Sequence, residues 1–280
     1  MSFSFATEGK CYRYGSVRMP IDIWDPWHEA GNKSEGTLTD VQRFIRAVLQ
    51  PHIALDIMQS FTLLATDKKH RRIKIIGRYQ QCEAANLLVI RAVNGYPKKE
   101  LIWHFQGSGK SLLTVFASQK LRMHRKLDNP AVMIVVDRID LDTQITATFN
   151  AADISNMIGA TTRQELQGLL EADTRKIIIT TIHKFGEANG CLNDRSNIIV
   201  MVDEAHRAQE GDLGRQMREA LPHALTGTPI NKRDRNTFWT FDADEDERGY
   251  MSRYSFQDSI LDKGDAAAPF RGGECQAVHR

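Results

Sequence analysis

The sequence predicts an α/β protein: a parallel sheet flanked by helices, preceded by a small α+β segment. Three observations carry that expectation. Residues 132–136 (VMIVV), 177–181 (IIITT) and 198–202 (IIVMV) are continuous apolar or β-branched runs of strand length, typical of strands buried on both faces. Helical patterns alternate with them, which implies right-handed crossovers between parallel strands. Each run ends in a polar signature, and open α/β sheets carry their function at the carboxyl ends of the strands.

The opening of the chain is less regular. Residues 3–7 (FSFAT) and 12–15 (YRYG) read as two short strands joined by Glu8-Gly9-Lys10, a hairpin with a glycine turn. The hairpin has few neighbours to pair with, and it is expected to belong to a larger sheet lying upstream. A segment rich in proline and tryptophan follows (Pro20, Trp24, Pro26, Trp27). Thr37-Leu38-Thr39-Asp40 then caps a helix over 41–49. Residues 51–95 read as helical, with Ile53, Leu55, Ile57 and Met58 leading into Phe61, Leu63 and Leu64. Within them, residues 66–74 (TDKKHRRIK) are strongly basic. That run admits two readings, a solvated loop or a patch that contacts phosphates. Residues 76–81 (IGRYQQ) open a helix through Ala84, Leu88 and Ala92. Gln81 there is either a polar flank of a core helix or an adenine reader, because its amide can both donate and accept.

Residues 101–113 (LIWHFQGSGKSLL) are the stretch around which the rest is arranged. Strand, glycine loop and helix is the layout of a phosphate-binding loop. Gly107 and Gly109 allow the tight turn, and the loop's N–H groups and the helix's positive end face the anion. Gln106, Gly107, Ser108, Gly109, Lys110 and Ser111 are the candidate nucleotide-binding residues. Lys110 can reach the β- and γ-phosphates, and the Ser111 hydroxyl can ligate Mg²⁺. His104 stands where the strict G-x-x-x-x-G-K-[ST] pattern has its first glycine.

The run 132–136 ends at Asp137-Arg138, and Asp140-Leu141-Asp142 opens a helix through Ile145 and Phe149. The run 177–181 ends in Ile182-His183-Lys184-Phe185. The run 198–202 ends in Asp203-Glu204-Ala205-His206-Arg207. Asp203 suits Mg²⁺ and Glu204 the general base that activates water. The same pair could instead cap a helix. Residues 217–221 close a helix, and 224–229 (ALTGTP) follow a short strand. His206, Thr226 and Thr228 are either satisfied structural residues or the link between the γ-phosphate state and movement of a second domain.

Bulk properties narrow the class. With 41% hydrophobic and 26% charged residues over 280, the chain is of ordinary soluble globular composition, and no apolar run reaches the length of a membrane span. The start lacks the layout of a secretory signal. A net charge of +2 requires any DNA-binding surface to be local. Cys11, Cys82, Cys191 and Cys275 are scattered, which argues against a zinc site or disulfide framework and suits a reducing cytoplasm.

Together, WHFQGSGKS (103–111), VVDRIDLDTQ (135–144), IIITTIHKF (177–185), VDEAHR (202–207), LTGTPI (225–230) and YSFQDSI (254–260) resemble a superfamily 2 helicase-type translocase. More closely, they resemble the restriction, or motor, subunit of type I restriction–modification enzymes, which also carries His at the position of His104. IGRYQQ (76–81) resembles that family's adenine-recognising region, and residues 7–20 its approach to the motor. The resemblance implies a RecA-like P-loop domain that binds ATP and Mg²⁺. Lys110 and Ser111 would hold phosphate and metal, Asp203 the metal, Glu204 the water and Gln81 the adenine. Asp137, Arg138, Thr180 and Thr181 would line a DNA track. The implied activity is ATP-dependent translocation on duplex DNA, in a complex with methyltransferase (M) and specificity (S) subunits. The alternatives are another superfamily 2 helicase or a catalytically silent binding module. By the same resemblance, residues 1–50 would be the remnant of a nuclease domain, 51–235 the first RecA-like lobe, and 236–280 a truncated start of the second lobe with a divergent tail. No DNA cleavage by this chain is expected.

Overall fold

The computed structural model describes residues 3–7, 9–17, 19–21, 24–28, 36–66, 71–105, 107–136, 147–150, 154, 156–186, 190–203, 212–230 and 250–262. A seven-stranded sheet is its centre. The strands are β5 (Lys99–His104), β6 (Ala131–Val136), β7 (Met157–Gly159), β8 (Ile177–Thr181), β9 (Ile198–Val202), β10 (Leu225–Ile230) and β11 (Ser252–Tyr254). Their order is β11-β5-β10-β9-β6-β8-β7, and every pairing is parallel. The parallel sheet flanked by helices is the α/β fold that the apolar runs predict.

The runs are apolar because both faces are covered. Along β6, Val132, Ile134 and Val136 enter one core, and Ala131, Met133 and Val135 enter the other. This period-two division repeats in β8 and β9. On the first face lie α3 (Tyr79–Asn94) and α4 (Lys110–Met123), supplying Ala85, Leu88, Leu113 and Phe116. On the second lie α5 (Arg163–Glu171) and α6 (Asp212–Ala220), supplying Leu166, Leu170 and Met217. Each such fully buried Leu, Met or Phe side chain stabilises the fold by about 1.5–3 kcal/mol relative to exposure.

The amino-terminal elements pack on the first core. The hairpin β1 (Ser4–Thr7) and β2 (Tyr12–Gly15) forms as the glycine turn predicts. Tyr12, Tyr14, Trp27, Val41 and Phe44 belong to the same hydrophobic cluster as Phe116 and Ile134. Thr37 caps α1 (Leu38–Val48) with a reciprocal Thr37–Asp40 capping box.

Three expectations are corrected. Phe61, Leu63 and Leu64 are not helical. Helix α2 (Pro51–Ser60) stops, and β3 (Thr62–Thr66) pairs antiparallel with β4 (Arg72–Ile76). Leu63 and Ala65 are buried and Leu64 is exposed, an alternation that only the partner strand reveals. Residues 225–230 are themselves a strand rather than a turn after one. Residues 252–254, which the resemblance assigns to a further lobe, form the β11 edge of this same sheet, and α7 (Phe256–Leu261) follows directly. The helix expected after Asp140 lies largely outside the described residues; 147–150 are helical. Among the described residues, no helix is long and apolar enough to cross a membrane.

Candidate nucleotide site

Because the sheet is parallel, β5, β6, β8, β9 and β10 all end on one edge. There β5 finishes at His104, the glycine loop follows, and α4 begins at Lys110. Gly107 (φ 93°) and Gly109 (φ 86°) both sit in the left-handed region. At Gly109 a Cβ would also fall 2.3 Å from Gln81 Nε2, so Gln81 would have to leave its place against the loop. Ser108 N–H donates to the Phe105 carbonyl (3.3 Å) and closes the turn. The helix start thus presents N–H groups and a positive dipole end beside Lys110, the arrangement that binds phosphate.

Lys110 Nζ rests 3.4 Å from the His104 carbonyl oxygen, and Lys110 and Ser111 are partly exposed. Ser108 is buried, and its hydroxyl has no hydrogen-bond partner among the described residues. Asp203 follows β9 on the same edge, its N–H donating 2.8 Å to the Val135 carbonyl. Strand β10 lies between β5 and β9 and is hydrogen-bonded to both. Thr226 pairs with Lys99 and Val200, and Thr228 with Leu101. The backbone carrying Thr226 and Thr228 therefore bridges the phosphate-loop strand and the acidic strand. Among the described residues, no three His, Cys, Asp or Glu side chains converge on a metal site. Mg²⁺ held by nucleotide phosphates needs few protein oxygens, and one hydroxyl (Ser111) with one carboxylate (Asp203) fits that donor set.

Gln81, the expected adenine reader, is hydrogen-bonded to the phosphate loop. It is buried in the first turn of α3. Its Nε2 donates to the carbonyls of Ser108 (3.3 Å) and Gly109 (3.0 Å), and its Oε1 accepts from Arg78 N–H (2.9 Å). Its amide hydrogens both go to the loop, so Gln81 braces the loop from beneath. Arg78 pairs with Asp25 (3.1 Å), and Tyr14 OH donates to the Gly77 carbonyl (2.7 Å), so the amino-terminal segment holds the start of α3.

His104 is 1% exposed. Its Nε2 lies 3.1 Å from Ser252 Oγ, and its ring meets that of Tyr254. Burial, and then the charge of Lys110, push its pKa down to about 3, so it is neutral. The sequence singled out His104 as a departure from the glycine pattern that the resembled family shares. It adds a side-chain link between β5 and β11, and a non-glycine residue at the start of the loop was the available signal. Ser252 carried no signal, and Tyr254 entered only as the first residue of the YSFQDSI motif.

Thr180 and Thr181 are buried in β8, so the part of this strand end open to a ligand is the turn after it, where His183 is exposed. Gln106, Asp137, Arg138, Glu204 and His206 lie outside the described residues.

Comparison with known proteins agrees with the resemblance read from the motifs. The chain is 31% identical to the Type I restriction enzyme HindI endonuclease subunit of Haemophilus influenzae, over 91% of this chain and 27% of that protein. It is 30% identical to the Putative type I restriction enzyme MjaIXP endonuclease subunit of Methanocaldococcus jannaschii, over 84% of this chain and 25% of that protein. A Staphylococcus saprophyticus relative, the Type I restriction enzyme SsaAORF53P endonuclease subunit, is 32% identical over 72% of this chain and 22% of its own length. The chain thus spans about a quarter of the length of these relatives and is homologous to type I restriction endonuclease subunits. The SWI2/SNF2 ATPase family model matches residues 80–270, from the brace of the phosphate loop through β11 and α7, and the chain belongs to the SWI2/SNF2 ATPase family.

Proposed function

We propose that this chain is the ATP-binding motor lobe of a type I restriction enzyme motor subunit and uses Mg²⁺-ATP hydrolysis to drive translocation on duplex DNA. One observation carries the reading: the glycine loop 107–111 and Asp203 share the carboxyl edge of one parallel sheet, with β10 hydrogen-bonded between their strands. Lys110 and the loop N–H groups bind the β- and γ-phosphates. Ser111 and Asp203 would hold Mg²⁺, which would supply positive charge to the phosphates. Glu204, one residue on, orients and deprotonates the attacking water. His206, Thr226 and Thr228 pass the phosphate state along β10. DNA runs past the strand ends at Asp137-Arg138 and the turn after Thr180-Thr181. Such phosphate contacts would be sequence-independent and salt-sensitive. Methyltransferase and specificity subunits would supply the recognised site, in the cytoplasm.

The test is nucleotide binding and hydrolysis by the purified chain, with and without duplex DNA. Lys110→Ala should abolish binding. Glu204→Gln should keep binding and lose turnover by ~10²–10⁴-fold, the range for a general base. Binding without turnover in the parent chain would favour the silent binding module. No binding of Mg²⁺-ATP by the parent chain would sink the reading.

A further inference from the structure

Asp262, which caps α7, is a carboxylate buried to 3% exposure on the phosphate-loop side of the sheet. Three distant parts of the chain converge on it. Tyr79 OH donates to its Oδ2 at 2.9 Å, and Tyr254 OH donates to the same oxygen at 2.7 Å. His28 Nε2 lies 3.0 Å from Oδ1 and is itself buried. The rings of Tyr79 and Tyr254 also meet edge to face, and His28 meets Tyr79 in the same way. Burial acts to raise the Asp262 pKa, but the His28 imidazole 3.0 Å away and the hydroxyls of Tyr254 and Tyr79 outweigh it and hold the group below its usual value.

A buried carboxylate is costly to desolvate, and an apolar cluster of similar shape commonly gives equal or greater stability. What the carboxylate adds here is a fixed position for two phenol groups. Tyr79 opens α3, two residues before Gln81, whose amide holds the carbonyls of Ser108 and Gly109. The Tyr254 carbonyl accepts from Phe105 N–H at 3.0 Å, and its ring packs on Phe105 and His104. One carboxylate therefore ties the helix beneath the glycine loop to the strand beside the loop's first residues.

We propose that Asp262 is a positioning residue for the phosphate loop: through Tyr79 to Gln81, and through Tyr254 to Phe105, it clamps both flanks of the loop in the shape that accepts a nucleoside triphosphate. The inference rests on the nucleotide-binding reading above for its ligand, and on geometry alone for the clamp. It also makes segment 250–262 part of the ATP site, although no residue of that segment needs to touch the nucleotide.

The test uses the full chain with Asp262→Asn, which keeps the shape and removes the charge. Two readouts are taken: backbone hydrogen exchange over 104–113, and the Kd for Mg²⁺-ATP bearing an N-methylanthraniloyl fluorophore. Leu170→Ala, in the core on the far face of the sheet, is the control for simple loss of stability. Asp262→Asn should speed exchange in the loop and weaken binding by about tenfold, on the scale of one charge-assisted hydrogen bond. Leu170→Ala should lower stability with the loop's exchange and Kd unchanged. If Asp262→Asn does not fold, Tyr79→Phe and Tyr254→Phe each remove one donor and should each give about a threefold change, the scale of one ordinary net hydrogen bond. Equal loop exchange in these variants and the parent chain overturns the proposal, as does a loop response identical to that of Leu170→Ala. If the parent chain binds no nucleotide while loop exchange still responds to Asp262→Asn, the clamp stands and the ATP reading falls.

Discussion

His104 makes the stability of this protein depend on pH in a way that can be worked out. The imidazole is 1% exposed beside Ser252, and burial followed by the Lys110 charge takes its pKa from 6.5 in a model peptide to about 3. Between those values the unfolded chain binds a proton that the folded chain refuses. Stability from this group is therefore fully present above about pH 6.5 and is lost as pH falls toward about 3. At about 1.4 kcal/mol per pH unit, the loss amounts to about 2 kcal/mol by pH ~5 and about 5 kcal/mol over the whole window. The assay is urea unfolding of the parent chain and of His104→Gln at about pH 7.5 and about pH 5. The glutamine keeps a hydrogen-bonding partner for Ser252 and cannot titrate. The parent chain should lose about 2 kcal/mol more than the variant on acidification. Equal losses in the two proteins would refute a buried neutral His104.

Three further outcomes follow from the same geometry. Gln81→Ala removes both hydrogen bonds to the loop carbonyls and should weaken nucleotide binding about tenfold, seen by fluorescence titration; unchanged affinity would mean that the loop holds its shape unaided. Gly109→Ala places a Cβ 2.3 Å from Gln81 Nε2 at a φ of 86°, so a fall in thermal stability worth at least about 1 kcal/mol is expected together with lost binding, and a neutral effect would contradict the observed loop conformation. Lys120 donates to Asp56 (2.5 Å) and Asn86 (2.5 Å) and lies over the Phe61 ring, joining α4 to α2 and α3. Lys120→Met keeps the stem but leaves the half-buried Asp56 without its cation, and should cost about 1–3 kcal/mol in chemical denaturation, with no such cost in an Asp56→Asn background.

Much of the sheet was legible because a doubly covered strand must be apolar along its whole length, as at 132–136, 177–181 and 198–202. The phosphate loop was legible for a similar reason: a turn with φ near 90° at two positions needs glycine at both, and anion binding needs the lysine that follows. The capping box at Thr37 could also be read, since it is satisfied within four residues. Periodicity misled at Phe61–Leu64, where α2 and β3 abut and each apolar residue fits both patterns. Only pairing with Arg72–Ile76 decides between them.

The sequence by itself therefore determined the α/β class, the strands and glycine loop at the centre of the site, and the family to which the motifs belong. Tertiary structure alone decided the strand order, which sets β10 between the loop strand and the Asp203 strand and brings β11 in as an edge. It alone decided that Gln81 serves the loop, that His104 is neutral, and that Asp262 gathers Tyr79, Tyr254 and His28. The physical reason is range. Local patterns follow from backbone geometry over a few residues. The Tyr79–Asp262 bond joins positions 183 residues apart, and only the closed fold defines it.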